Sequence, residues 1–418
     1  MIRPGGPLLA LARWRLSLVA SLYFYQGVVA GFALTALPNH AAGLGAGAAE
    51  LGAYAAAIGL PWILQPLWGP VVDRFGGMRM GRRRFWVLAA LSGSLLALAC
   101  LPWLGEASPG ALPAIAAVFT LHSACAALMD TATDAMIIDH TPDHEMGAAT
   151  ACTRAGLVTG LALGAIIFAW VLPRASLAQA ASVLIGLGVL TVGMLLVVRE
   201  QPRDARFSLR WRARAEGPGF GALMAELGRE MGRPVNLALL LFCLLQDFMG
   251  AVFRLPLGVH LIQQQGWTAG ALSTAQGSIG LVAGTLGAWL VGRWTDRTGP
   301  AWTLQWLLGA SAMAHAVSAM LLWLQTGWAG PAALSLSGIT SALCFVALAP
   351  AVMQASRGPV AASRFALYMA ALNLGDVLGS GVAGAAATLG VGRIALLVAA
   401  GYGLLALASG RMVRLFQQ

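Results

Sequence analysis

Four aspartates stand inside apolar stretches, where a charge costs several kcal/mol unless it is paired or wetted. Asp130 and Asp134 are four residues apart and share one helix face. Two carboxylates that close do not both ionise easily, which makes the pair a candidate proton-coupling site. The alternative is that both lie near the end of their run, wetted or paired with Arg154. Asp247 and Arg254 are seven residues apart, two turns along one face. Asp376 sits mid-run, with Asn373 one turn before it. Asp247 and Asp376 are further proton-coupling candidates. Arg254, Asn373 and Gln246 are expected to line a central polar cavity, faced by Tyr23, Tyr25 and Gln26 of the first run. His122 and His315 could titrate, but a lone histidine in an apolar run is more often a hydrogen-bonded structural residue. There is no nucleotide-binding loop, no metal-ligand spacing and no Ser/His/Asp constellation, so catalytic residues, a metal and a cofactor are all expected to be absent. The chain does not read as an enzyme.

The elements that must hold these groups are membrane helices. The 418 residues are 58% hydrophobic and 10% charged, against about a quarter charged in soluble domains. Mean hydropathy is +0.76. Apolar runs long enough to span hydrocarbon fall near 16–37, 48–68, 85–104, 111–136, 147–171 and 178–198, then near 235–261, 268–292, 302–325, 329–352, 362–388 and 392–413. The first run is long enough to remain as a helix, and no cleavable leader is apparent. The expected division is a six-helix bundle over 1–198, a linker loop over 199–233 and a second bundle over 234–418. The linker carries eight arginines and five acids, and Phe220 to Met231 could lie on the membrane as an amphipathic helix. Gly156, Gly160 and Gly164, and later Gly375 and Gly379, make small-residue stripes. These are read either as a sliding contact between halves or as static packing. The five cysteines read as small buried apolar residues.

The net charge of +10 does not point to nucleic acid. All 26 basic residues are arginine, and most fall in loops that share one side of the membrane, which places both termini in the cytoplasm. One such loop runs Gly69-Pro70-Val71-Val72-Asp73-Arg74-Phe75-Gly76 and on to Arg82, Arg83 and Arg84. A thinner copy, Gly292-Arg293-Trp294-Thr295-Asp296-Arg297, follows the eighth run. Asp139, Asp143 and Glu145 form an acidic loop expected to face the Arg82–Arg84 cluster.

The doubled Gly-x-x-x-Asp-Arg loop resembles the signature of the major facilitator superfamily, in which it joins the second and third helices and recurs in the second half. The resemblance implies an all-α membrane protein of twelve helices in two pseudo-symmetric six-helix bundles. It also implies a cytoplasmic gate of Gly69, Asp73, Arg74, Arg82, Arg83, Arg84, Arg154, Asp296, Arg297 and Arg364, with Asp73 turned to Arg364 and Asp296 to Arg154. That last pairing competes with Arg154 serving Asp130 and Asp134. Leu22-Tyr23-Phe24-Tyr25-Gln26-Gly27, Leu60-Pro61-Trp62, Met129-Asp130-Thr131-Ala132-Thr133-Asp134 and Asn373-Leu374-Gly375 are similar to the branch holding the AmpG-type muropeptide permeases and the RhtX/FptX siderophore importers. AmpG-type proteins often carry extra C-terminal helices, and twelve runs incline the reading toward the siderophore side. The implied function is proton-coupled import of a small organic solute, such as a siderophore or muropeptide, across the bacterial inner membrane by a monomer. Its partners are then the solute, protons and the lipid bilayer, with no nucleic acid. A drug or metabolite exporter is the alternative, disfavoured because Gly164-Ala165-Ile166-Ile167 departs from the antiporter signature of the fifth helix. A delivery or assembly factor that moves no solute is the alternative of another class.

Overall fold

A computed structural model describes residues 9, 11–75, 78–142, 145–210, 221, 225, 228–229, 231–356 and 361–416. Among the described residues, twelve helical segments are long and apolar enough to cross a membrane: α1 (Ala12–Gly43), α2 (Ala48–Val72), α3 (Arg84–Leu104), α4 (Pro109–His140), α5 (Ala151–Val171), α6 (Leu177–Val197), α7 (Pro234–Gln263), α8 (Ala269–Thr295), α9 (Trp302–Trp323), α10 (Ala329–Leu348), α11 (Arg364–Ala387) and α12 (Val391–Ser409). In hydrocarbon each backbone N–H and C=O needs a partner within the chain, and a helix supplies it locally. The twelve segments match the twelve apolar runs to within a few residues. The expected surface helix from Phe220 falls largely outside the described residues.

The glycine stripes pack helices within a lobe, not between lobes. A Cβ on Gly156, Gly160 or Gly164 of α5 would run into the α1 backbone at Ala20, Phe24 or Val28. A Cβ on Gly375 or Gly379 of α11 would run into the α7 backbone at Leu244 or Phe248. The sliding-contact expectation for these stripes is therefore overturned. Each stripe lets one helix pair cross backbone to backbone, and the two pairs occupy equivalent places in the two lobes.

The seam between lobes uses other small residues. Gly52 and Gly59 of α2 meet Ser380 and Val377 of α11, and Gly384 of α11 meets Ala49. On the other side, Gly277 and Gly284 of α8 meet Ala162 and Val158 of α5. At the end away from where α1 begins and α12 finishes, the lobes are also joined by amides. Asn39 Nδ2 donates to Ser273 Oγ at 2.9 Å and to Gln276 Oε1 at 2.7 Å. Gln263 Nε2 donates to the carbonyls of Ala42 at 3.0 Å and Ala46 at 2.9 Å. No side chain in these contacts carries a charge, so this far-end closure does not itself titrate.

Candidate functional site

The carboxylate pair of α4 is held by neutral donors from two other helices. Tyr23 of α1 donates its hydroxyl to Asp134 Oδ1 at 2.5 Å. Gln26, one turn on, donates to Asp130 Oδ1 at 3.3 Å. Gln65 of α2 donates to Asp130 Oδ2 at 2.6 Å. Neutral donors leave the pair free to carry a proton or to lose one without breaking an ion pair. Arg154 acts on both carboxylates only through space. Its guanidinium lies over the Phe345 ring of α10, 4.9 Å from the centroid, so it reaches across to the second lobe. Tyr25 takes no part. Two residues past Tyr23 it points to the far side of α1, buried with its hydroxyl against Gly188 of α6. A step of about 200° around the helix separates the two rings.

Gln65 reaches Asp130 because α2 is broken. Its first stretch ends at Ile63 and a second begins at Gln65. A proline lacks the N–H that would bond the carbonyl four residues earlier. Pro61 therefore leaves the Ala57 carbonyl without its helical partner, and Pro66 has no N–H for that of Trp62, which the Leu64 N–H at the break meets instead. Thr120 Oγ1 of α4 shares its one proton between Ala57 O at 3.1 Å and its own Ala116 O at 2.8 Å, from the same lobe. Asn373 Nδ2 of α11 donates to Trp62 O at 3.4 Å, from the other lobe. Asn373→Leu is expected to cost about 1 kcal/mol, the worth of one side-chain hydrogen bond. Adding Pro66→Ala restores an N–H for Trp62 O and is expected to recover part of that loss. A double-mutant cycle by denaturation in detergent measures the recovery.

In the second lobe Arg254 Nη2 bonds Asp376 Oδ1 at 2.8 Å, joining α7 to α11. Asn373 and Asp376 are three residues apart and share a face of α11. Asn373 reaches α2 of the first lobe, so that face is turned toward the seam. The Arg254 side chain is 54% exposed and that of Asp376 32%, although Arg254 is set among the helices. Asp247 feels the charges of both but makes no direct bond to Arg254. Seven residues span about 10 Å of helix, too far for an ion pair. Gln246 does not join the group: it is 1% exposed and packed against α12, where Tyr402 donates to its backbone carbonyl at 3.4 Å. His122 is bonded to Ser94 Oγ at 2.8 Å, and His315 donates to Ser311 O at 2.8 Å, which is the structural reading of both.

In the arginine loop, Arg84 bonds within the first lobe. Arg84 is fully buried and donates to the carbonyls of Leu195, Met80, Ala205, Leu196 and Arg206, all in its own lobe or the strand of chain just after it. Glu200 accepts from the backbone N–H groups of Arg82 at 3.0 Å, of Arg83 at 2.8 Å, and of Arg84. Burial pushes the Glu200 carboxyl above its ordinary value, outweighing the N–H donors of Arg84 and Arg83. Arg83 Nε bonds Asp139 at 2.8 Å, and Arg15 bonds Glu145, so part of the acidic loop meets the cluster as expected. Asp143 lies outside the described residues, as do the side chains of Asp73, Arg74 and Asp296. Gly69 has open space where a Cβ would be, Arg297 is exposed, and Arg364 is buried at the start of α11 beside Tyr368.

Sequence reasoning missed Gln65, Thr120, Asn39 and Gln263. For the first two a signal was present, since prolines inside an apolar run mark which carbonyls need a side-chain donor. Asn39 and Gln263 sit near helix ends, and nothing local distinguishes them.

Known proteins agree with this architecture. The chain is 26% identical over 233 residues to the anhydromuropeptide permease of Escherichia coli K12, a stretch that is 55% of this chain and 45% of that protein. The matched region thus spans less than half the length of that relative. The solved nucleoside transporter NupG superposes with a TM-score of 0.67 at 13% identity, covering 96% of this chain and 99% of its own. A D-xylose–proton symporter gives 0.64 at 13% identity, covering 93% and 96%. At such identities the structures speak for the fold alone. Residues 19–380 match the family model of the Major Facilitator Superfamily, and with twelve spanning helices in two lobes the chain belongs to that superfamily.

Proposed function

We propose that this transporter is a monomeric, proton-coupled importer of a small organic solute in the bacterial inner membrane, with both termini in the cytoplasm. The observation that carries the reading is the Asp130/Asp134 pair, held by Tyr23, Gln26 and Gln65, with no cation bonded to it among the described residues. A carboxylate pair bonded only by neutral donors can exchange protons at small structural cost. The arginine bias of the loops supports the orientation. The name of the E. coli relative makes a muropeptide the first cargo to test, and a ferric siderophore the second.

Purified protein in proteoliposomes is offered each labelled solute, with and without an imposed pH gradient. Accumulation driven by the gradient is expected, and Asp130→Asn with Asp134→Asn is expected to abolish the driven part while leaving exchange. Proton-driven accumulation that survives both substitutions removes the coupling assignment. Movement in the opposite direction would make the protein an exporter, and no movement of any solute would favour a delivery role.

A further inference from the structure

We propose that Arg254 is the receptor for a carboxylate on the cargo, which binds there in place of Asp376. The inference deepens the importer reading and rests on it.

A guanidinium has five N–H donors in a planar fork that fits a carboxylate with two parallel bonds. Among the described residues Arg254 engages one of its nitrogens, Nη2, on one oxygen of Asp376. The remainder of the side chain is open, with 54% of it exposed among the helices. Arg84 shows what a purely structural arginine looks like in this chain. It has no exposure, and its three nitrogens bond five backbone carbonyls. Holding a guanidinium in the middle of a membrane with a single bond is costly unless water, and at some stage a ligand, completes its shell. The Asp376 carboxylate occupies one prong of the fork, so a cargo carboxylate taking both prongs is a substitution of like for like. The site also faces the other lobe, because Asn373 on the same face of α11 reaches Trp62.

Charge counting makes the exchange a competition. Asp247 and Asp376 set two negative charges against one positive charge. An incoming anion would raise the excess, so it binds in competition with the Asp376 carboxylate, and more tightly once that charge is removed. The other titratable groups facing this cluster are Cys243 on α7 and Tyr402 on α12, with His315 of α9 behind Tyr402, its ring 5.2 Å from the tyrosine ring. None of them offers Arg254 a second anion near neutral pH.

Muramyl dipeptide, which carries one free carboxylate, and its neutral carboxylate ester form a matched pair of probes. Binding to the full-length protein in detergent is followed by tryptophan fluorescence and by thermal shift. The wild type is expected to bind the acid at least about tenfold more tightly than the ester. Arg254→Gln is expected to make the two equal, and Arg254→Lys to keep part of the preference. Asp376→Asn is expected to strengthen binding of the acid, a gain that a merely structural ion pair would not produce. Equal binding of acid and ester by the wild type, an acid preference that survives Arg254→Gln, or no binding of either probe up to millimolar concentration would each overturn the proposal. Acid-selective binding without proton-driven uptake would instead count against the importer reading. Proton-driven uptake of acid and ester alike would count against this inference alone.

Discussion

Arg84→Ala is expected to lower the stability of the detergent-solubilised protein by about 3–5 kcal/mol, the range for removing one partner of a buried charge network. Five carbonyls lose their donor, among them Leu195 and Leu196 at the last turn of α6 and Ala205 and Arg206 beyond it. The end of a helix leaves its final carbonyls without intrahelical partners, and here one side chain satisfies them. The same substitution leaves Glu200 buried against the first N–H groups of α3 without the Arg84 charge. Arg84→Lys is expected to restore little, because an ammonium cannot span five acceptors on three stretches of chain. Denaturant titration read by tryptophan fluorescence gives the value. Arg254→Ala, which loses one bond in an open site, is the control and should cost far less. Equal losses for the two substitutions would mean that the clamp between the arginine loop and the end of α6 is not what holds this lobe closed.

Gly52→Trp is expected to stop the far end of the bundle from closing while leaving each lobe folded. Gly52 of α2 lies against the Ser380 carbonyl of α11, and a step further along the seam Gly384 lies against Ala49. A large side chain meets backbone there and cannot be relieved by a change of rotamer. The amide latch of Asn39 and Gln263 would have to open with it. Spin labels at the exposed positions Leu44 and Gln264, on the two loops at that end, report the separation. The variant should show a distribution wider by several ångström and no transport cycle. Asn39→Ala with Gln263→Ala should shift the same distribution only in part, since each lost hydrogen bond is worth about 1 kcal/mol. An unchanged distance in Gly52→Trp would show that α2 and α11 separate by some route that does not pass through this contact.

These two residues illustrate different degrees of legibility. Arg84 stands out in the sequence as part of an arginine cluster, which pointed to a gate between lobes. Its burial against carbonyls of its own lobe depends on where the chain after α6 returns, and no spacing encodes that. Gly52 is one of 52 glycines. Only the position of α11 separates it from Gly69, which faces open space.

The sequence alone determined the twelve spans, the two-lobe repeat and the presence of charged groups within apolar runs. Those features follow from local rules: the bilayer demands a helix of a certain length, and a carboxylate in oil stands out wherever it occurs. Tertiary structure alone decided the partners. Arg254 turned from Asp247 to Asp376 because the rise along a helix carries residues seven apart out of reach, while a neighbouring helix brings a distant residue near. The glycine stripes bound α1 to α5 and α7 to α11 within lobes, because a stripe of missing side chains says that something comes close without saying what. Gln65 met Asp130, and Asn373 met Trp62, because prolines freed backbone carbonyls and bent α2. The bend is written in the chain, but the donor that answers it comes from more than three hundred residues away, and only packing selects it.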